Sequence, residues 1–351
     1  MAMTSGFSLQ EATDLLGLCA FVETDGPQPP IPDPRNTWDL VFDSPVMGPF
    51  DNKWQLWRRK GQGPFAIAIR GSVAAAGSII EDLIALMIKA EGTLTVSGIG
   101  HDYRFAADQS AGVHLGFALA TLLVLNDPAN GMITRLGNQI PEGSDVFITG
   151  HSQGAAMATL LRSYFHYSGG APQNCSFKTY VYAQPKPGNV HYAEDFESLF
   201  CDPAMAFRVT NTLDWVPEVP FTLQSPEDID KPNPLTVFAS PTLLITLITK
   251  SLAEVHALIE LHTRSHFQQM AVAVAQTKPA AAAAAGGPGA LLAVPFAADF
   301  TASLDYVNAG TDFPLEGTPC AGAECHDALF EHHATTYFAL LMSLATAAAG
   351  P

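Results

Sequence analysis

Val146-Phe147-Ile148-Thr149-Gly150-His151-Ser152-Gln153-Gly154-Ala155-Ala156 runs from an apolar, β-branched stretch through a G-x-S-x-G turn into small residues. The reading is a strand, a sharp turn and a helix start. In such a nucleophile elbow the serine occupies a strained strand-to-helix turn, and glycines two positions to either side allow strand and helix to approach closely. The Ala155–Leu161 run that follows is a good helix former, so the context a functional serine requires is present on both sides of Ser152.

Working outward, strands alternate with helices. A helix is expected over 8–21, before a proline-rich crossing at 27–34. A β-hairpin is expected from 54–59 and 65–70 around Gly61-Gln62-Gly63-Pro64. Helices are expected over 79–89, 113–125, 155–167 and 334–344, and strands over 145–149, 179–183 and 206–210. This order predicts an α/β fold with a largely parallel sheet flanked by helices. Between 242 and 278 there is neither glycine nor proline. Leu244, Ile248, Leu252, Val255, Ile259 and His262 recur there at three- and four-residue spacing, as on an amphipathic helix. An alanine-rich stretch follows at 280–289 and reads as a surface linker. The expected organisation is a core over 1–221, an inserted helical cap over 222–302, and the remainder of the core over 303–351.

Composition limits the function. The 351 residues are 48% hydrophobic and 15% charged, which is globular. A formal charge of −17 argues against nucleic acid as a partner and against a basic membrane-binding surface. No uncharged run reaches the length of a membrane span. No basic segment precedes the apolar run at 15–21, so no secretory signal is expected there. Five cysteines do not form a dense disulfide framework, although Cys320 and Cys325 could close a small loop. His262 with His266, and Cys320 and Cys325 with His326, have loosely metal-like spacing, but each is better read as structural. No metal or cofactor is expected.

A serine hydroxyl needs a histidine to accept its proton and a carboxylate to orient that histidine. In an α/β-hydrolase both lie downstream of the serine, acid first. Asp214 follows the 206–210 strand in Asn211-Thr212-Leu213-Asp214-Trp215-Val216-Pro217, at the strand end where such a sheet keeps its site. For the base, His332 and His333 precede the last helix and His326 is a weaker candidate; the residues alone do not choose between His332 and His333. The second histidine and Glu331 would perturb the base in opposite directions.

With these residues in place the chain resembles the lipase class 3 family, the fungal-type triacylglycerol lipases and their bacterial relatives. Ala66-Ile67-Ala68-Ile69-Arg70-Gly71-Ser72 looks like the family's strand ending in Arg-Gly-Ser/Thr, and Val113-His114-Leu115-Gly116-Phe117 like its V-H-x-G-F helix start. The elbow, Gln184-Pro185-Lys186-Pro187-Gly188-Asn189 and Asn211–Pro220 match three further motifs in the same order. The resemblance implies an α/β-hydrolase fold, Ser152 as nucleophile, Asp214 as orienting acid, and an oxyanion hole from the backbone N–H groups of Ser72 and Gln153. It also implies an ester substrate, most simply an acylglycerol at an oil–water interface. Phospholipase A1, polyester and aryl-ester hydrolysis use the same triad, and a non-catalytic ligand- or partner-binding homologue is the alternative of another class. Gln153 stands where the family usually has leucine, which suggests a more polar pocket rim. In the family the segment matching 74–88 is a moving lid; the apolar residues here fit either a lid or an ordinary core helix.

Overall fold

A computed structural model describes residues 3–47, 51–70, 87–96, 99–199, 203–220, 222, 296–301, 303, 305–320, 327 and 329–349. Helix α1 (Leu9–Thr24) leads into strands β1 (Trp38–Asp43), β2 (Lys53–Arg59) and β3 (Phe65–Arg70). Short strands β4 (Met87–Lys89), β5 (Glu91–Val96), β6 (Ile99–Arg104) and β7 (Gly112–His114) precede helices α2 (Leu115–Asn126) and α3 (Met132–Gln139). Strand β8 (Asp145–His151) and helix α4 (Gln153–Tyr167) are followed by β9 (Ser176–Tyr182), β10 (Gly188–Asn189), α5 (Val190–Ser198) and β11 (Ala206–Asn211). Beyond these come β12 (Phe296–Ala297), β13 (Tyr306–Val307), β14 (Thr311–Leu315) and α6 (Ala334–Ala349).

The main sheet has the order β1-β2-β3-β8-β9-β11-β14, antiparallel through β3 and parallel from β3 onward. Its central strands are buried on both faces, and their alternation sorts side chains between two cores. Phe65, Ile67 and Ile69 of β3 and Val146 and Ile148 of β8 join the core under α2 and α4. Ala66, Ala68, Phe147, Tyr180 and Tyr182 face the other core, against α1 and α6. This period-two sorting, with helices on both sides, is what a parallel sheet requires. The small Ala66 and Ala68 let α1 lie close over β3 and β8, where Cys19 meets Thr149 at 3.2 Å.

Two expectations change. Residues 87–89, expected to end a helix, form strand β4, which pairs with β7; Lys89 also donates its N–H to the Asp299 carbonyl. Tertiary pairing has overridden local helix propensity there. The part of the expected lid that is described, Met87 and Ile88, is thus a buried strand, and residues 71–86 lie outside the described residues. Helix α2 begins at Leu115 and not at 113, because the His114 ring caps it by accepting the N–H groups of Gly116 and Phe117. Most of the expected cap over 222–302 lies outside the described residues. Its last part, including β12 against β5 and Phe300 against Ile88, adds to the small sheets of the N-terminal half. Strands β1, β5, β6 and β14 and helices α3 and α5 were not anticipated. Strand β14 carries Pro314, which its edge position tolerates.

Among the described residues no helix is long and apolar enough to cross a membrane, and no cluster of three or more His, Cys, Asp or Glu side chains could hold a metal ion. His262, His266, Cys325 and His326 lie outside the described residues. Cys320 is disulfide-bonded.

Candidate active site

Strand β8 ends at His151 and α4 begins at Gln153, so Ser152 alone makes the turn. It does so at φ 57° and ψ −132°, a conformation that a non-glycine residue adopts only where the surroundings impose it. Its N–H extends the β8–β9 ladder to the Tyr182 carbonyl at 3.0 Å, and its carbonyl accepts the Ala155 N–H at 2.9 Å. Gly150 is required by the same turn. A Cβ there would lie 2.2 Å from the Gly154 carbonyl oxygen.

Asp214 and His332 meet as the order along the chain suggests. His332 Nδ1 is 2.9 Å from Asp214 Oδ2, which also accepts the Tyr337 hydroxyl at 2.8 Å; Asp214 Oδ1 accepts the Val216 N–H at 3.0 Å. With three hydrogen bonds from fixed donors, the carboxylate has one orientation. Asn211, one turn before it, ties the two loops together: its Nδ2 donates to the Glu331 carbonyl and side chain, both at 2.9 Å. Glu331 therefore braces the loop that carries His332.

The structure separates the two histidines. His332 is 5% exposed and reaches Asp214, whereas the His333 side chain is 45% exposed and bonds Asp327 at 2.6 Å. His332 also sits on the elbow. Its carbonyl accepts from His151 Nε2 at 2.7 Å, and the two rings are 4.7 Å apart. Gln153 opens α4 and is 4% exposed, so its side chain lies inside the protein and not on an open rim. A helix N-terminus at this place favours a developing negative charge. Ser72 and His326 lie outside the described residues.

Burial lowers the proton affinity of His332, and the bond to Asp214 offsets this only in part, so its pKa falls below the ordinary histidine value. Burial raises the Asp214 carboxyl, but the hydrogen bond and charge of His332 outweigh it and the pKa is lowered. Both shifts favour an ionised Asp214 and a neutral His332 at neutral pH. Any reaction needing neutral His332 should therefore rise with pH through a midpoint below histidine's ordinary ~6.5. A profile of kcat/KM against pH on a soluble ester checks this, and a midpoint above about 7 would contradict it.

Other motif residues act as fasteners. Gln184 Nε2 donates to Thr159 Oγ1 at 2.7 Å and to the Ala309 carbonyl at 3.1 Å. Asn189 Oδ1 accepts the N–H groups of Gly112 and Tyr192. Two residues with a place in the site were missed. His151 is recognisable in the sequence only as part of the elbow, and Glu23, 2.7 Å from its Nδ1, sits in α1 with no signal in the sequence.

A mainly parallel sheet with a strained serine elbow and an Asp–His pair at its carboxyl edge is the architecture of an α/β-hydrolase. Within that class, the Lipase (class 3) family model matches residues 66–224 of this chain. Among solved structures, similarity extends to M37 lipase, with 22% identity and a TM-score of 0.41 over 53% of this chain. That match spans 58% of M37 lipase, a little over half its length. Lipase II from Rhizopus niveus (20% identity, TM-score 0.45) and the triacylglyceride lipase of Rhizomucor miehei (18%, 0.44) each align over 62% of this chain and 77% of their own.

Proposed function

We propose that this protein is a serine carboxylic-ester hydrolase, and that its substrates are acylglycerols. The observation that carries the reading is Ser152 held at φ 57° next to His151, whose Nε2 bonds the carbonyl of His332 in the buried Asp214–His332 pair. Ser152 Oγ attacks the ester carbonyl while His332 Nε2 takes its proton, and Asp214 stabilises the imidazolium through Nδ1. Backbone N–H groups of Gln153 and Ser72 receive the oxyanion; losing one such donor commonly costs about 2.7–4 kcal/mol of transition-state stabilisation. His332 then protonates the leaving alcohol. Water, deprotonated by the same histidine, releases the carboxylic acid and restores Ser152.

The acylglycerol assignment is supported by the class 3 lipase family model's match to residues 66–224 and by the apolar composition of residues 74–88. Hydrolysis of emulsified tributyrin and triolein should exceed hydrolysis of phosphatidylcholine vesicles and of aryl acetates at equal ester concentration. The rate on tributyrin should climb as the ester passes its solubility limit. Preference for phosphatidylcholine would reassign the substrate to phospholipids, and no turnover of any ester would remove the enzymatic reading.

A further inference from the structure

Behind the elbow lies a second acid–histidine pair that the reaction above does not use. His151 is 5% exposed, and both of its ring nitrogens face acceptors: Glu23 Oε1 at 2.7 Å from Nδ1 and the His332 carbonyl oxygen at 2.7 Å from Nε2. A neutral imidazole has one N–H and would direct its lone pair at the other oxygen. Two acceptors with an ionised Glu23 therefore call for protons on both nitrogens. We propose that Glu23 and His151 are a positioning pair, in which the His151 imidazolium clamps the His332 loop by its carbonyl and weakens the proton affinity of the His332 ring. The inference rests on His332 being the general base.

Each part has a physical basis. The His332 carbonyl belongs to the residue whose imidazole must aim at Ser152 Oγ, and Asp214 with Tyr337 fixes only the Nδ1 side of that ring. A charge-assisted bond from His151 fixes the backbone from the opposite side. Among the described residues His151 faces Glu23 of α1, His332, Asp214 beyond it, and the Tyr337 ring of α6, edge-on at 5.9 Å. Burial works against a charge on His151, but the Glu23 carboxylate outweighs it and raises the pKa; burial likewise raises Glu23, but His151 outweighs it and lowers it. With its side chain 23% exposed, Glu23 lets the pair exchange protons with solvent. Helix α1 lies outside the segment matched by the family model, so an N-terminal element sets the geometry of the base.

Two measurements test the pair separately from the reaction. In the Ser152→Ala protein labelled with ¹⁵N-histidine, the His151 ring, assigned by comparison with His151→Gln, should show two protonated nitrogens at pH 7. One unprotonated ring nitrogen at that pH would overturn the proposal, and this arm needs no catalytic activity. In the active protein, His151→Gln keeps a donor toward the His332 carbonyl but carries no charge. Its acid limb on p-nitrophenyl butyrate should move up by at least about half a pH unit. His151→Ala, with no donor, should lose about ten-fold or more in kcat on its pH-independent plateau. Wild-type limb and plateau in both variants would overturn the clamp. Should neither variant fold, spectra of the Ser152→Ala protein, with His151 then assigned from its contacts to Glu23 and His332, still decide the protonation state.

Discussion

Ser152→Ala is expected to reduce ester hydrolysis by about 10⁵- to 10⁶-fold, abolish labelling by a fluorophosphonate probe, and leave the melting temperature within a few degrees of the parent. Alanine accepts the backbone of Ser152 no worse than serine does, since both carry a Cβ at φ 57°. Among the described residues no hydrogen bond of the fold depends on Oγ, so the change should fall on chemistry alone. His332→Ala should lose a comparable factor, and the double variant little more, because nucleophile and base act as a unit. His333→Ala should stay within about two-fold of the parent, because its ring faces solvent and Asp327. Rates against an enzyme-free blank, with intact-mass analysis of probe labelling, check all four. A Ser152→Ala protein that still hydrolyses esters or takes up the probe would remove the serine from the mechanism. A His333→Ala loss matching that of His332→Ala would return the base to an open choice.

Gly150→Ala is expected to prevent the elbow from forming, with destabilisation above about 4 kcal/mol and little soluble protein. The added Cβ would meet the Gly154 carbonyl oxygen at 2.2 Å, the Gly154 carbonyl carbon at 2.4 Å and the Ala155 nitrogen at 2.9 Å. All three are backbone atoms of the first turn of α4, so no rotamer change relieves the overlap. Relief would require α4 to move off β8, opening the core that contains Val146, Ile148, Ala155, Ala156 and Leu160. Gly137→Ala is the control. Nothing lies within 4 Å of its Cβ position in α3, and helix propensity favours alanine by roughly 0.5–1 kcal/mol. Denaturant midpoints of the two variants should move in opposite directions. A Gly150→Ala protein as stable as the parent would mean that strand and helix are not in the contact described.

The two effects separate what the elbow does. Gly150 and Gly154 permit the turn, and Ser152 exploits it. The turn is strained because strand and helix, each held by a buried face, meet with one residue between them. Its cost is borne by the surrounding core and not by local contacts at the serine.

Much of the site is legible in the chain. Parallel strands buried on both faces need continuous apolar runs, and 145–149, 179–183 and 206–210 read as strands for that reason; β8 and β11 run on past the expected ends, while β9 starts earlier, at Ser176, and stops at Tyr182, because ladder pairing and not the apolar stretch sets the ends. Asp214 is recoverable because a site at the carboxyl edge of such a sheet draws its acid from the loop after a strand. Strands β5 and β6 were not seen, since a mostly exposed hairpin needs no apolar alternation. Strand β4 was misread as helix because Met87-Ile88-Lys89 suits either state, and only pairing with β7 decides.

Sequence alone thus determined the α/β class, the elbow, and the position of Asp214 after a strand, because each is encoded in local pattern: strand hydrophobicity, two glycines flanking a serine, a turn after a strand. Tertiary structure alone separated His332 from His333. Adjacent residues in a loop share every sequence cue, and only the direction of the backbone sends one ring to Asp214 and the other to Asp327. It alone brought Glu23 to His151, 128 residues away, because their contact depends on where α1 crosses β8 and not on any property of either segment.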